Sequence, residues 1–241
     1  MVTDQAAAEW RWGNSAKSGK RRCIHCPLTS PTQVITMSTD ADTKSQWDFF
    51  ITNFPALYEM LHRESERGSV IVGAAVMDEA LELLLKKRLV ASPEISDELF
   101  KGPYAPLSDF AAKIDFAYRV GLIGRNHRSS LHLIRKLRND FAHSSMQLNF
   151  ESQKVHSRIQ ELFKLNKSLL DTIWDIVKKD DNPEVKEIIG NYESQHGVDY
   201  LSKFLGWRST FELLGAMIAA ALNSFNEDIE PLTARDAKKT S

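Results

Sequence analysis

Hydrophobic residues recur at helical spacing along most of the chain, and prolines divide it into long stretches. Six of the eight prolines lie after residue 50, at positions 55, 93, 103, 106, 183 and 231. Because proline breaks helix interiors, the long stretches without it indicate where helices can run. No alternating pattern of useful strand length is present, so the sequence predicts an all-α fold.

The first predicted helix covers about 56–90. Its second half carries apolar residues at helical spacing that define a core face: Ile71, Ala74, Ala75, Leu81 and Leu85. Three prolines mark 91–106 as a loop. Ser108 is placed to cap the next helix, which we expect to end near Gly121–Gly124.

The periodicity continues through the rest of the chain. It predicts helices over about 127–142 and 151–179, a short helix to about 194, and a last helix over about 208–225. The last helix is apolar almost all round, so it is either central or pressed against another subunit. We therefore expect an up-and-down bundle of about five to seven helices, and a homo-oligomer.

The first 36 residues differ in character from the rest of the chain. They hold five cations and two carboxylates, with no apolar stretch that could form the core of a secretion signal. Met37 then opens a polar run. We predict a disordered N-terminal extension over 1–44, or an artefact of start-site choice, then a single helical domain over 45–226 and a flexible tail over 227–241.

The overall charge excludes a global electrostatic attraction to nucleic acid or membranes. The 241 residues carry 31 basic and 32 acidic side chains, so any such contact must be local. The longest apolar stretch, 213–222, is shorter than the roughly 20 residues that span a bilayer, so no membrane partner is predicted. Two cysteines cannot staple a chain of this size, which favours a reducing, cytoplasmic location.

The cysteines lie in the sequence Cys23-Ile-His25-Cys26. A zinc site needs four ligands, and no second cysteine pair completes this one. We interpret the two cysteines as an unpaired thiol pair and predict no metal and no cofactor.

A local excess of positive charge lies between Phe116 and Asn139, where six cations occur without an acidic residue. Such a patch can neutralise phosphates. Alternatively, two solvated helix faces are basic and pair with carboxylates of neighbouring helices. The candidate nucleic-acid contacts are Arg119, Arg125, Arg128, Arg135 and Lys136.

Two charged residues fall where the periodicity predicts core. Asp78 lies among the apolar positions of the first helix, and Arg138 lies between Ile134 and Phe141. A charge on an apolar face is costly unless it is paired. We therefore expect a buried Asp78, paired with Arg67 on its own helix or with Arg138 across the bundle.

Arg138 also opens the hexapeptide Arg-Asn-Asp-Phe-Ala-His, which ends at His143. Arginine and histidine five residues apart lie about 140° around a helix, so they converge only if the helix ends or loosens at the histidine. Asn139 and His143 share a face. A histidine can act as a base and an arginine can hold a phosphate, which suffices for metal-free cleavage of RNA through its 2′-hydroxyl.

The hexapeptide resembles the motif of the HEPN superfamily of helical domains, many of which are ribonucleases or toxin and defence proteins. A longer set of sequence blocks, within roughly 55–180, resembles the mannitol operon repressor family. These blocks are Glu64–Gly68, Asp78–Leu85, Pro106–Tyr118, Gly121–Ile123 and Ile134–Ser144.

The resemblance implies a HEPN-like, all-helical transcriptional regulator that acts negatively on a sugar or polyol operon. We find no helix-turn-helix, so a protein partner in transcription control or a weak DNA contact is expected. One alternative is a HEPN-type, metal-independent ribonuclease with Arg138, Asn139 and His143 at a dimer interface. Another is a binding module in which the hexapeptide is purely structural.

For a regulator we expect no catalytic residue. The resemblance instead implies a functional or structural polar cluster, which consists of Glu64, Arg67, Asp78, Glu79, Arg138, Asn139 and His143.

Overall fold

A computed structural model describes residues 40–92, 97–143, 148–171, 198–225 and 229–234, with side chains from residue 52 on except at 200 and 204. Within these ranges the chain is helical and contains no strand, which confirms the all-α prediction. The helices are α1 (Asp40–Arg63), α2 (Glu66–Arg88), α3 (Phe110–Arg119), α4 (Arg125–His143), α5 (Gln153–Leu165) and α6 (Val198–Ser224).

The single helix predicted over 56–90 is two helices, α1 and α2. Ser65 begins α2 as its N-cap, and its hydroxyl accepts a hydrogen bond from the backbone N–H of Gly68 at 3.0 Å. Pro55 lies inside α1 rather than at its boundary. The prediction was wrong here because it used proline as the boundary and overlooked a serine cap.

Arg208 of α6 holds the break between α1 and α2. Its Nη2 donates to the carbonyls of His62, at 3.0 Å, and Glu64, at 2.5 Å. Its Nε donates to the fully buried Glu212 at 2.6 Å. One of these carbonyls lies in the last turn of α1 and the other just after it, where helical partners are lacking, so both are satisfied from another helix.

Two other boundaries differ from the prediction. Asp109, and not Ser108, caps α3, because its carboxylate accepts the N–H of Ala112 at 3.0 Å. The helix predicted over 151–179 is interrupted at Asn166, whose buried amide donates to Leu162 O at 2.7 Å and Ser130 Oγ at 2.9 Å. Helix resumes over 167–171.

The last helix is central, which is one of the two predicted alternatives. It begins earlier than predicted, bends at Gly206, where φ is 80°, and packs against α1, α2 and α5. Residues 210–222 are buried except for Leu213, which is partly buried. Because the same chain covers this apolar helix, its pattern gives no support to the predicted homo-oligomer, which stays a prediction.

The core lies between α2, α4 and α6, and consecutive helices from α1 to α5 pack against each other. Its largest fully buried side chains include Phe141, Phe150 and Phe211, which form a chain of ring contacts with centroids 5.5 Å apart. Among the described helices, none has the length and apolar character needed to cross a bilayer.

The ends of the chain are described only in part. Helix α1 begins at Asp40, inside the predicted 1–44 extension. Residues 229–234, within the predicted 227–241 tail, lie against the end of α2: the N–H of Leu232 donates to Arg88 O at 2.8 Å, and Ile229 is buried. Residues 1–39 and the predicted helix ending at 194 lie outside the described residues.

Candidate functional site

Helix α4 separates an apolar side from a polar side. Its buried residues include Leu131, Ile134, Leu137 and Phe141, at helical spacing. Opposite them, Arg125 and Lys136 are exposed, and Arg128 and Arg135 are partly buried. We call these four residues the basic face of α4. A turn of 100° per residue places all four within about 100° of one another around the helix axis.

Most cations of the basic face have no acidic partner in the described part of the chain. Arg128 is paired with Asp115 of α3 at 2.7 Å, as the structural alternative predicted. Arg125, Arg135 and Lys136 form no ion pair with a described residue. The same is true of Arg119, which is exposed at the end of α3. Neighbouring helices therefore neutralise only a small share of the local charge.

Asp115 also contacts His132, a polar residue of α4 close to Arg128. His132 Nε2 lies 3.1 Å from Asp115 Oδ1. The hydrogen bond to His132 lowers the pKa of Asp115, and Arg128 lowers it further. Partial burial acts in the opposite direction but is outweighed, so the pKa of Asp115 is lowered. The carboxylate thus stays charged and links α3 to α4.

A groove opens at the C-terminal end of α4. It has a volume of about 400 Å³ and is lined by Asn139, Asp140, His143, Leu148 and Lys154. Two members of the hexapeptide predicted to share a face, Asn139 and His143, therefore lie on the same groove. His143 is exposed there.

Asp140, the acidic residue of this groove, is neutralised by α5. Lys154 Nζ lies 2.6 Å and Arg158 Nη1 2.5 Å from its Oδ2. Partial burial raises the pKa of Asp140, but Lys154 and Arg158 outweigh it, so the pKa is lowered. A carboxylate held by two cations is a structural link between α4 and α5 and does not serve as a free base.

Arg138 is exposed, so the prediction from periodicity that it lies in the core was wrong. Its helical phase does place it beside buried Ile134 and Phe141. The long side chain extends from the edge of that apolar surface, and its Nη1 donates to Asn139 Oδ1 at 3.0 Å. Long cationic side chains commonly keep the charge in water while the stem covers apolar surface.

Arg138 and His143 are not brought together by a loosened helix end. Helix α4 continues through His143, so the two residues start about 140° apart around the axis. No hydrogen bond joins them within the described chain. They are connected only through Asn139, which contacts Arg138 and lines the groove with His143.

Two members of the predicted polar cluster, Glu64 and Arg67, lie near the junction between α1 and α2, and Arg67 also reaches the end of α4. Arg67 Nη2 donates to the carbonyl of Ala142 at 2.6 Å, which ties α2 to the last turn of α4. A side chain at Gly68 would meet Glu64, because an added Cβ would lie 2.6 Å from Glu64 Oε2. Glu79 is exposed on α2.

Asp78 lies in a different group of charges, and the predicted pairing with Arg67 or Arg138 was wrong. Its carboxylate is about one-third exposed, and Lys113 Nζ of α3 lies 2.9 Å from Oδ1. Lys113 also contacts Glu82 at 2.8 Å and is almost completely buried. Burial alone would lower the pKa of Lys113. The two carboxylates outweigh this effect, so the pKa of Lys113 is raised.

Neither Lys113 nor Lys154 was among the predicted site residues. Both lysines occur on amphipathic helices, where a single cation is typical of a solvated face. A weak signal was available for Lys113, since it directly precedes the apolar Ile114 and is followed four residues later by Ala117. No spacing along the chain indicates that Lys154 reaches the hexapeptide.

No group of three or more histidine, cysteine or acidic side chains within the described ranges is arranged to hold a metal ion. Cys23, His25 and Cys26 lie outside those ranges. No protein-family model matches the chain, and comparisons with curated proteins and with solved structures gave no match either. The resemblances to the HEPN superfamily and to the mannitol operon repressor family stay predictions.

Proposed function

We propose that the protein is a transcriptional regulator of the mannitol operon repressor type. It acts negatively on a sugar or polyol operon in the cytoplasm, through a protein partner or a weak DNA contact. The supporting observation is that sequence blocks carrying the resemblance contact each other. Arg67 of one block binds Ala142 of another, 75 residues later, and Lys113 pairs with Asp78.

These contacts give the polar residues of the blocks a structural role that does not require catalysis. Arg67 satisfies a carbonyl at the end of α4, and Lys113 joins α2 to α3. Carbonyls in the last turn of a helix lack partners within the helix, so a cation supplied from a neighbouring helix stabilises the junction. Contacts of this kind hold helices together and perform no chemistry, so they favour a protein that acts by binding a partner.

The test is deletion of the gene in its own organism, followed by transcript measurement during growth with and without sugars and polyols. We expect the transcripts of one sugar or polyol operon to increase in the absence of the gene. Expression of the wild-type chain from a plasmid should restore repression. If no such operon changes, or if its transcripts decrease, the proposal is wrong.

A matched pair of variants distinguishes the effect of losing a contact between the blocks from the effect of losing any surface cation. Arg67→Ala removes the contact with Ala142, whereas Lys101→Ala changes an exposed lysine outside the α2–α4 junction. We expect Lys101→Ala to restore repression and Arg67→Ala to restore it poorly at equal protein levels. Equal repression by both would show that the junction is not needed.

The groove favours a metal-independent ribonuclease as a second candidate function. Exposed Arg138 reaches Asn139, and Asn139, His143 and Lys154 line one open groove. A phosphate could be held by the cations while a histidine removes the 2′-hydroxyl proton.

Purified full-length protein incubated with single-stranded RNA and a chelator tests this function. A ribonuclease of this type cleaves under these conditions and loses activity in His143→Ala without a change in the melting curve, because His143 is exposed. Absence of cleavage by the wild-type chain rules it out. Cleavage that persists in His143→Ala indicates contamination or another site.

A further inference from the structure

The basic face of α4 combines three properties that a phosphate-binding surface requires. Most of its positive charge is not compensated locally: Arg128 is paired with Asp115, whereas Arg125, Arg135 and Lys136 have no ion pair with a described residue. It is accessible, because Arg125 and Lys136 are exposed. It is rigid, because the opposite side of the same helix is anchored in the core by fully buried residues such as Ile134 and Leu137.

The two exposed cations lie on one line along the helix. Arg125 and Lys136 are eleven residues apart, which places them about 20° apart around the axis and about 17 Å apart along it. A duplex carries one phosphate charge per ~1.7 Å of its axis, so a helix laid along DNA meets several phosphates over this length. Arg128 and Arg135 flank the line on one side.

Acidic residues beside the face do not reverse its charge. Asp115 is shared by Arg128 and His132, and Asp140 is held by Lys154 and Arg158. The chain as a whole has a net charge of −1, so the excess is a property of this surface. Contact with a polyanion here is therefore not a consequence of global charge.

The polar side of α4 carries no phenylalanine, tyrosine or tryptophan; its residues include Ser129, His132 and Asn139. Tyr118 of α3 lies beside it and is partly buried, and the Arg128 guanidinium covers one face of its ring, 5.2 Å from the centroid. Proteins that bind single strands combine cations with aromatic stacking platforms. A surface of cations and polar side chains, whose neighbouring tyrosine is already stacked against Arg128, suits a duplex, whose bases are already stacked and whose phosphates are displayed outward.

We propose that the basic face of α4 binds the phosphate backbone of double-stranded DNA without reading its sequence. This inference deepens the proposed regulatory function, on which its role in transcription depends, by assigning the DNA contact to one helix. Phosphate contacts position a protein on a duplex and carry no sequence information. Selection of the operon would then come from the protein partner.

The test measures binding of the full-length protein to a labelled random-sequence duplex by fluorescence anisotropy at several salt concentrations. For non-specific binding of this kind we expect a Kd of about 10⁻⁴–10⁻⁶ M near physiological salt, with weakening as salt rises. Arg125→Ala/Lys136→Ala should reduce the slope of log affinity against log salt by about 2, since each phosphate contact contributes about 1.

The control is Lys101→Ala/Lys203→Ala, which removes the same charge from exposed lysines elsewhere. We expect its affinity and salt slope to equal those of the wild type. Equal losses in both double variants would show a global charge effect and overturn the proposal. Absence of duplex binding by the wild type at low salt would also overturn it.

Two competitors identify other polyanions. Single-stranded RNA that binds more tightly than the duplex, or polyglutamate that displaces the duplex at equal charge, would assign the face to another partner and overturn the proposal. The gene-deletion experiment is independent of these results. If repression persists in Arg125→Ala/Lys136→Ala while duplex binding is lost, the regulatory function stands, but repression does not depend on the basic face of α4.

Discussion

The charges between α2 and α3 have partners of opposite sign, whereas most of those on the basic face of α4 have none in the described chain. In the first region Lys113 is almost completely buried between Asp78 and Glu82. In the second, Arg125 and Lys136 face solvent. A buried cation must be compensated where it lies, while an exposed one is hydrated and stays available for a partner. The first region therefore serves the fold, and the second is free to serve binding.

The largest expected effect is on stability at the α2–α3 contact. Lys113→Met removes the cation between Asp78 and Glu82, and it should lower the free energy of unfolding by about 3 kcal/mol, because the partly buried Asp78 loses its partner and Glu82 keeps only Lys86. Urea unfolding monitored by circular dichroism measures the change. Lys101→Met, at an exposed lysine, is the control, with an expected change below about 0.5 kcal/mol.

Neutralising the Asp78 carboxylate tests the cause of that loss. Asp78→Asn introduced together with Lys113→Met should recover most of the stability, since the unpaired carboxylate is removed while Glu82 keeps its ion pair with Lys86. A loss below about 1 kcal/mol in Lys113→Met alone would contradict the distinction between the two regions.

The inner side of α4 provides a pH-dependent contrast with its outer side. His127 is buried against Phe225, and burial lowers its pKa to about 3, against about 6.5 in an unfolded chain. Between these values the unfolded state binds the extra proton, so this residue reduces stability as pH falls from 6.5 towards 3. At pH 5 the loss amounts to about 2 kcal/mol.

Replacing His127 with leucine should remove this contribution. The difference in unfolding free energy between pH 7 and pH 5 should then be smaller in His127→Leu than in the wild type, while His143→Leu, at an exposed position, serves as the control. An unchanged pH dependence in His127→Leu would mean that the imidazole is protonated in the folded state.

A smaller effect is expected from making the basic face more positive. Asp115→Asn leaves Arg128 without its partner, so affinity for a random duplex should rise by roughly two- to threefold at low salt. The loss of a largely exposed ion pair should cost less than about 1 kcal/mol. Unchanged or weaker binding would argue against a duplex on this face.

The smallest effect is expected on the stability of variants in the basic face itself. Arg125→Ala and Lys136→Ala remove exposed side chains without ion pairs in the described chain, so each should change the free energy of unfolding by no more than about 0.5 kcal/mol. Thermal melting measures this directly. A large loss would place these residues with Lys113 among the structural charges.

The apolar pattern predicted most of the fold but not the pairing of charges. It located α4 to within two residues at each end, because Leu131, Ile134, Leu137 and Phe141 are buried at the period used for the prediction. It missed the break at Ser65, because the residues on both sides remain helical and only a local cap separates them.

The candidate site was predictable only in part, because its members come from separate segments. Asn139 and His143 share a face by helix geometry alone. Lys154, Arg158 and Arg67 reach the same end of α4 from other helices. Arg138 shows a further limit, since helical phase describes where its Cβ starts, whereas the length of the side chain determines where its charge ends.

The contact of 229–234 with α2 has a practical consequence for work on the protein. Arg88 Nη1 donates to Glu230 O at 2.7 Å, and Ile229 is buried. The segment 229–234 therefore packs against the C-terminal end of α2 and covers apolar surface there. Shortening the gene to stop at residue 226 would uncover apolar surface and favour aggregation during expression. An affinity tag or fluorescent fusion is better joined after residue 234.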